Sequence, residues 1–124
     1  MDSSGNVIVT GISSGTNDYD YYTAKYSAAD GALLWEKRYG GPASTDFLAC
    51  SVAVDGAGNV LVTGISTFGY YAAKYAAADG ALLWEKRYAD GVPNAMAVDD
   101  SGSVLLTVSL PNTSGNYDQY TVKF

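Results

Sequence analysis

The sequence predicts an all-β repeat protein, and three observations carry that prediction. Short runs rich in Val, Ile, Thr and Tyr alternate with Asp-, Asn- and Gly-containing turns. No stretch shows the 3.6-residue apolar period of an amphipathic helix. The segment AKYSAADGALLWEKRY, from Ala24 to Tyr39, recurs from Ala73 to Tyr88 with one change, Ser27 against Ala76. Such repetition in a chain of 124 residues predicts a repeat architecture within one domain, 1–124.

Two sequence markers divide the chain into three units. The sequences YYTAKY, YYAAKY and QYTVKF begin at Tyr21, Tyr70 and Gln119, so successive copies are 49 residues apart. A second marker, GNVIVTG from Gly5, recurs as GNVLVTG from Gly58 and as GSVLLTV from 102. We place the units at approximately 1–47, 48–92 and 93–124.

A complete unit contains four predicted strands. SVAVD or MAVD is the first, and VIVTG, VLVTG or VLLTV is the second, after a Gly-containing turn. The YYTAKY marker is the third, and LLWEKRY is the fourth, after an Asp-Gly turn. The second strand is apolar on both faces, which is typical of a central strand with sheets packed on each side. The fourth ends in charged residues, as expected of an outer strand whose charges discourage edge pairing.

This pattern predicts a β-propeller built from four-stranded antiparallel blades. The first unit begins at its second strand and the third ends at its third strand, so the prediction is sheets of three, four and three strands. Ten strands make about two and a half blades, a partial propeller. Because propellers close with about four blades or more, we expect exposed sheet faces and self-association into a larger ring or a filament.

The linked markers AVD, GNV, VTG, YYTAKY and LLW resemble the SBBP repeat, a bacterial β-propeller repeat. That resemblance implies a bacterial protein at the cell surface or outside the cell, acting as a structural or interaction module. The segment ADGALLW also resembles the tryptophan-docking motif of quinoprotein-type blades, which implies that Trp35 and Trp84 dock one blade on the next. No residues match a quinone or calcium site of that family, so the resemblance implies neither a cofactor nor dehydrogenase chemistry.

Composition narrows the function classes. The chain has no histidine, which removes the commonest general base and metal ligand, so we expect no enzyme and no metal site. A net charge of -6 argues against nucleic acid as a partner. A single cysteine excludes an internal disulfide, and no apolar run approaches the roughly 20 residues of a membrane span. Met1 leads directly into DSSGNV, so we expect no signal peptide in this chain.

The loops between second and third strands are the candidate binding sites. They cover 13–20, 66–69 and 109–118 and combine Tyr, Asn, Asp and Ser. In two of them a tyrosine precedes an aspartate, Tyr19 with Asp20 and Tyr117 with Asp118. A stacking ring beside a carboxylate acceptor is compatible with carbohydrate, so the alternative function is a propeller lectin whose sites form between blades on oligomerisation. Solvated hairpin tips are the other interpretation.

The acidic turns at 55–59 and 99–102 also allow two interpretations. Closely spaced Asp and Asn oxygens suit calcium, whereas Asp, Asn and Gly are equally the ordinary residues of tight turns.

Overall fold

The computed structural model describes residues 1–14, 19–39, 48–66 and 69–124, and all regular secondary structure in those residues is β. The all-β prediction is therefore confirmed for the described part of the chain. That part contains no helix that could cross a membrane.

Within the described residues, ten antiparallel strands form three sheets, in the predicted three, four and three arrangement. The first sheet has the order β1-β2-β3, the middle sheet β4-β5-β6-β7 and the third sheet β10-β9-β8. The strands are β1 (Val7–Ser14), β2 (Tyr19–Tyr26), β3 (Leu33–Tyr39), β4 (Leu48–Val54), β5 (Val60–Ser66), β6 (Gly69–Tyr75), β7 (Leu82–Tyr88), β8 (Val92–Val98), β9 (Val104–Pro111) and β10 (Tyr117–Lys123).

The two sixteen-residue copies form equivalent hairpins. Lys25 pairs with Trp35 and Tyr26 with Leu33, while Lys74 pairs with Trp84 and Tyr75 with Leu82, with the same register shift at the same position. In both turns a glycine takes a positive φ, +71° at Gly31 and +68° at Gly80, which a side chain would disfavour. One local sequence therefore gives one local structure twice.

Several loops are shorter than the sequence predicted. The ladder between β1 and β2 continues through Ser13 and Asp20 to Ser14 and Tyr19, so these four residues of the predicted loop 13–20 belong to strands. Residues 15–18 of that loop lie outside the described part of the chain. Similarly, β10 begins at Tyr117 opposite Pro111, inside the predicted loop 109–118. Paired backbone groups along these hairpins extend the strands into segments whose Ser, Asp and Asn content suggested loops.

The core lies between the sheets. One cluster joins Ile8 and Trp35 of the first sheet to Val60, Val62 and Tyr71 of the middle sheet. A second joins Tyr70 of the middle sheet to Leu106 and Val108 of the third sheet. The middle sheet is thus covered on both faces, and the outer sheets each bury one face.

This stacking corrects the expectation that every second strand is buried on both sides. The expectation holds for β5, in which Val60 to Gly64 are buried. It fails for β1, whose Val7 and Val9 are 42% and 39% exposed, against 0% and 2% for Val60 and Val62 at the equivalent positions. Among the described residues, β1 is an edge strand of its sheet, and no sheet packs on the face of β1 that carries Val7 and Val9.

Candidate interaction surfaces

Each sheet has two distinct faces, set by the alternation of side chains along its strands. We call the face that the first sheet turns toward the middle sheet its forward face, and the opposite one its rear face. The forward face carries Ile8, Tyr21, Lys25, Trp35 and Tyr39. It packs on the rear face of the middle sheet, formed by Val60, Val62, Tyr71, Ala73 and Tyr75. The forward face of the middle sheet packs in the same way on the rear face of the third.

Two side chains of the first sheet donate hydrogen bonds to one backbone carbonyl of the middle sheet. The indole nitrogen of Trp35 donates to the carbonyl oxygen of Ala77 at 3.3 Å, and the ammonium of Lys25 donates to the same oxygen at 2.9 Å. Ala77 lies in the turn between β6 and β7, and Gly80 of that turn lies against the Trp35 ring. Trp35 is 6% exposed, so the predicted docking residue is buried between the first and middle sheets.

Lys25 also belongs to a three-residue motif that sequence reasoning missed. Its ammonium pairs with Asp2 at 2.8 Å, and Asp2 in turn accepts from the backbone and side-chain amides of Asn6. Lys74, Asp55 and Asn59 repeat the arrangement, with a 2.7 Å ion pair. A lysine inside the otherwise apolar YYTAKY marker was the available signal, because a buried ammonium requires a partner.

In both acidic turns, the first aspartate accepts hydrogen bonds from groups of the same turn. Both oxygens of the Asp55 carboxylate are engaged by backbone N–H groups, by Asn59 and by Lys74. Asp99 accepts from the N–H groups of Ser101 and Ser103. Within the described ranges, no three acidic or cysteine side chains are grouped so as to hold a metal ion.

These contacts lower the pKa of all three aspartates. The hydrogen bond from Lys25 is the main cause for Asp2, whose pKa lies well below its usual range. Burial raises the pKa of Asp55, but the hydrogen bonds from Lys74 and Asn59 outweigh it and the net direction is down. The hydroxyl of Ser101 and the N–H of Ser103 lower the pKa of Asp99 to about 2. All three carboxylates are thus stabilised in the charged form.

Stacked rings line the interface between the first and middle sheets. Tyr71 lies between Tyr39, with centroids 4.9 Å apart, and Tyr21, at 5.7 Å. The guanidinium of Arg87 lies 5.1 Å from the Tyr39 centroid, and the hydroxyl of Tyr21 donates to the carbonyl of Ile65. Tyrosine suits this position because the ring packs while the hydroxyl finds a polar partner.

The second predicted docking residue, Trp84, has a looser environment. Its ring meets Phe124 edge-on at 5.9 Å, and the ammonium of Lys86 lies 5.0 Å from the Phe124 centroid. Nowhere in the described chain does a group accept a hydrogen bond from its indole nitrogen. A cavity of about 320 Å³ lies beside Trp84, lined also by Lys86, Gly102 and Phe124. The β6–β7 turn covers the corresponding side of Trp35.

Two sheet faces remain uncovered among the described residues. One is the rear face of the first sheet, where Val7 and Val9 are exposed and Tyr22 and Tyr26 half-buried, while Ala24 on the same face is itself buried. The other is the forward face of the third sheet, and its residues are Leu105, Thr107, Ser109, Gln119, Thr121 and Lys123. The two faces lie at opposite ends of the stack, because the middle sheet contacts both outer sheets.

Within one chain, the predicted sugar-binding residues lie on two different sheets, whereas the predicted lectin sites form between blades on oligomerisation. Tyr19 and Asp20 lie on β2 of the first sheet, whereas Tyr117 and Asp118 lie on β10 of the third. The side chain of Tyr19 is outside the described part. Tyr117 is 64% exposed, and Asp118 accepts a hydrogen bond from the amide of Asn112 at 3.2 Å. As successive residues of a strand, Tyr117 and Asp118 point to opposite faces of the sheet, so the ring and the carboxylate do not converge.

Comparison of the sequence with models of known protein families finds no match, and comparison with curated proteins finds none either. The likeness to the SBBP repeat therefore stays a prediction carried by the residues alone.

Proposed function

We propose that the chain is a non-catalytic structural module of the β-propeller-repeat type, in which each sheet is a blade, and that it assembles with copies of itself. The three sheets are two and a half blades in this interpretation, and the assembly is a larger propeller or a filament. The extracellular or cell-surface location implied by the SBBP resemblance belongs to the same proposal.

One observation carries this proposal. Val7 and Val9 are 42% and 39% exposed, while their equivalents Val60 and Val62 are almost completely buried by a neighbouring sheet. Covering apolar surface of this kind contributes roughly 25 cal/mol for each Å² removed from water. A second copy offers a sheet of related chemistry to cover it.

A non-catalytic role is supported by the sequence and by the way the charged groups are used. The chain contains no histidine. The ion pairs Lys25–Asp2 and Lys74–Asp55 are engaged in holding turns and strands together. We therefore assign these charged groups to architecture and not to chemistry on a substrate.

The test is the mass in solution, measured by multi-angle light scattering across a concentration series up to the millimolar range. We expect the mass to rise above the 13.0 kDa of one chain as concentration increases. A single species of 13.0 kDa across the whole series would refute self-assembly.

A further inference from the structure

We propose that assembly is head-to-tail: the forward face of the third sheet of one copy covers the rear face of the first sheet of the next. This inference rests on the proposed function and adds its geometry. It commits to a second copy of this chain as the occupant of the uncovered rear face, and to a heterologous interface rather than a symmetric one.

The uncovered rear face duplicates a surface that the molecule already covers internally. Val7, Val9, Tyr22, Ala24 and Tyr26 occupy the positions of Val60, Val62, Tyr71, Ala73 and Tyr75, and the residue types are identical at all five. In the middle sheet this surface is buried by the forward face of a neighbouring sheet. The surface that complements the rear face of the first sheet is therefore a forward face, not a second rear face.

The third sheet retains part of that forward face. Leu105 stands where the first sheet has Ile8, and it pairs with Lys123 just as Ile8 pairs with Lys25. Asp99 stands where the first sheet has Asp2, and it lies 3.8 Å from Lys123. Leu105 is 38% exposed, so its side chain is available to a partner.

The receiving carbonyl is also duplicated. Ala28 occupies in the β2–β3 turn the position that Ala77 occupies in the β6–β7 turn, and its N–H is held by Asn6 just as that of Ala77 is held by Asn59. The oxygen of Ala77 accepts from Lys25. Within the described residues nothing donates to the oxygen of Ala28, so Lys123 of a second copy has an acceptor there.

The three Asp–Lys pairs support this assignment. The side chains of Lys25 and Lys74 are mostly buried, and their pairs measure 2.8 Å and 2.7 Å. The side chain of Lys123 is 62% exposed, and its pair measures 3.8 Å. The pair without a covering sheet is thus the loosest, as expected if docking of the next sheet orders it.

The interface is smaller than the internal ones. Ser109 and Gln119 replace Ile12 and Tyr21 of the first sheet, and with Asn94 they form a polar cluster of hydrogen bonds of 2.6–3.1 Å. The hydrogen-bonding groups at that end of the face are already paired with one another, so the contact centres on Leu105 and Lys123. We therefore expect weaker, concentration-dependent association instead of a permanent complex.

Two variants that each block one face test the geometry. Val9→Lys places a charge on the rear face, and Leu105→Lys places one on the forward face. Leu83→Lys is the matched control, because Leu83 is comparably exposed, at 51%, but lies on β7 of the middle sheet, away from both uncovered faces. Thermal unfolding confirms that each variant is folded before its association constant is measured by sedimentation.

Head-to-tail assembly predicts that each face variant alone loses at least roughly tenfold in association constant, whereas Leu83→Lys associates as the parent chain does. An equimolar mixture of Val9→Lys and Leu105→Lys should recover association, because each retains the face that the other lacks. The mixture should stop at two chains per particle.

The other outcomes separate this inference from the proposed function. Self-association of Leu105→Lys alone at parental strength would indicate rear-to-rear pairing, and that of Val9→Lys alone would indicate pairing through the third sheet. Either result overturns the head-to-tail geometry while leaving self-assembly intact. Parental association of both variants would indicate strand-edge pairing and would also overturn it. A parent chain that stays monomeric at every concentration overturns the proposed function itself.

Discussion

Substituting alanine for Gly80 or for Gly31 isolates the contribution of sheet docking from that of the turn. Both glycines occupy the sequence ADGALLW, and both have nearly the same positive φ, +68° and +71°. A Cβ at Gly80 would lie 2.8 Å from two atoms of the Trp35 ring and 3.0 Å from Lys37 Cε. A Cβ at Gly31 would meet nothing within 4 Å. The two substitutions thus share the local strain and differ only in the interface.

The expected magnitudes follow from these distances. Placing alanine in the left-handed region costs each variant about 1–2 kcal/mol. Gly80→Ala carries an additional overpacking penalty of about 1–3 kcal/mol, because the indole is buried and cannot swing aside as a flexible side-chain end would. For a domain of this size, that difference corresponds to a gap in melting temperature of roughly 3–15 °C between the variants.

The measurement is chemical denaturation of both variants beside the parent chain, followed by tyrosine and tryptophan fluorescence. A third variant, Gly80→Ala with Trp35→Ala, completes a double-mutant cycle. With the ring removed, the additional penalty at Gly80 should disappear. Equal destabilisation by Gly80→Ala and Gly31→Ala, or a penalty that persists without Trp35, would refute the docking of the first sheet on this turn.

Three further results are expected. Trp35→Ala should cost about 3–5 kcal/mol of unfolding free energy, and Trp84→Ala clearly less, because Trp84 is only partly buried. Calorimetry of both variants measures the two losses, and equal losses would contradict the prediction that Trp35 contributes more. The unfolding free energy should fall as pH drops from about 5 toward 2, because Asp2, Asp55 and Asp99 have lowered pKa values in the folded state and the unfolded chain therefore binds more protons. Lys25→Met should flatten this decline by raising the folded-state pKa of Asp2. The measurement is denaturation at stepped pH, and an unchanged slope in the variant would count against the ion pair. A glycan array should show no binding that depends on Tyr117, because its ring and the Asp118 carboxylate point to opposite faces; binding lost in Tyr117→Ala would favour the lectin alternative.

The local sequence predicted most of the strands. Leu33–Tyr39 and Leu82–Tyr88 form the strands that their alternation and Asp-Gly turns predicted, and they are edge strands as their charged ends suggested. Such features are local, since turn geometry and strand propensity act within a few residues. Strand ends were less well predicted, because Tyr117 lies in β10, where it pairs with Pro111 across the hairpin.

The interfaces depend on contacts distant in sequence, and there prediction was less complete. Trp35 was singled out by its resemblance to a docking motif, but the acceptor at Ala77, 42 positions away, carries no side-chain signature. Burial of Lys25 depends on that same distant turn. The incomplete set of blades predicted exposed sheet faces, but the residues of VIVTG alone did not distinguish the exposed Val7 from its buried equivalent Val60.

Trp35 and Lys25 donate to a main-chain oxygen, that of Ala77, and this choice of acceptor affects how the sequences of such chains can diverge. Every residue has a carbonyl, so substitutions at position 77 leave the acceptor in place, and the constraint on this turn falls on Gly80, where a Cβ would meet the Trp35 ring. A duplicated unit therefore needs no new acceptor side chain in a neighbour that keeps this glycine. A single stretch of sixteen residues can therefore be duplicated within a gene and still dock on the neighbouring unit.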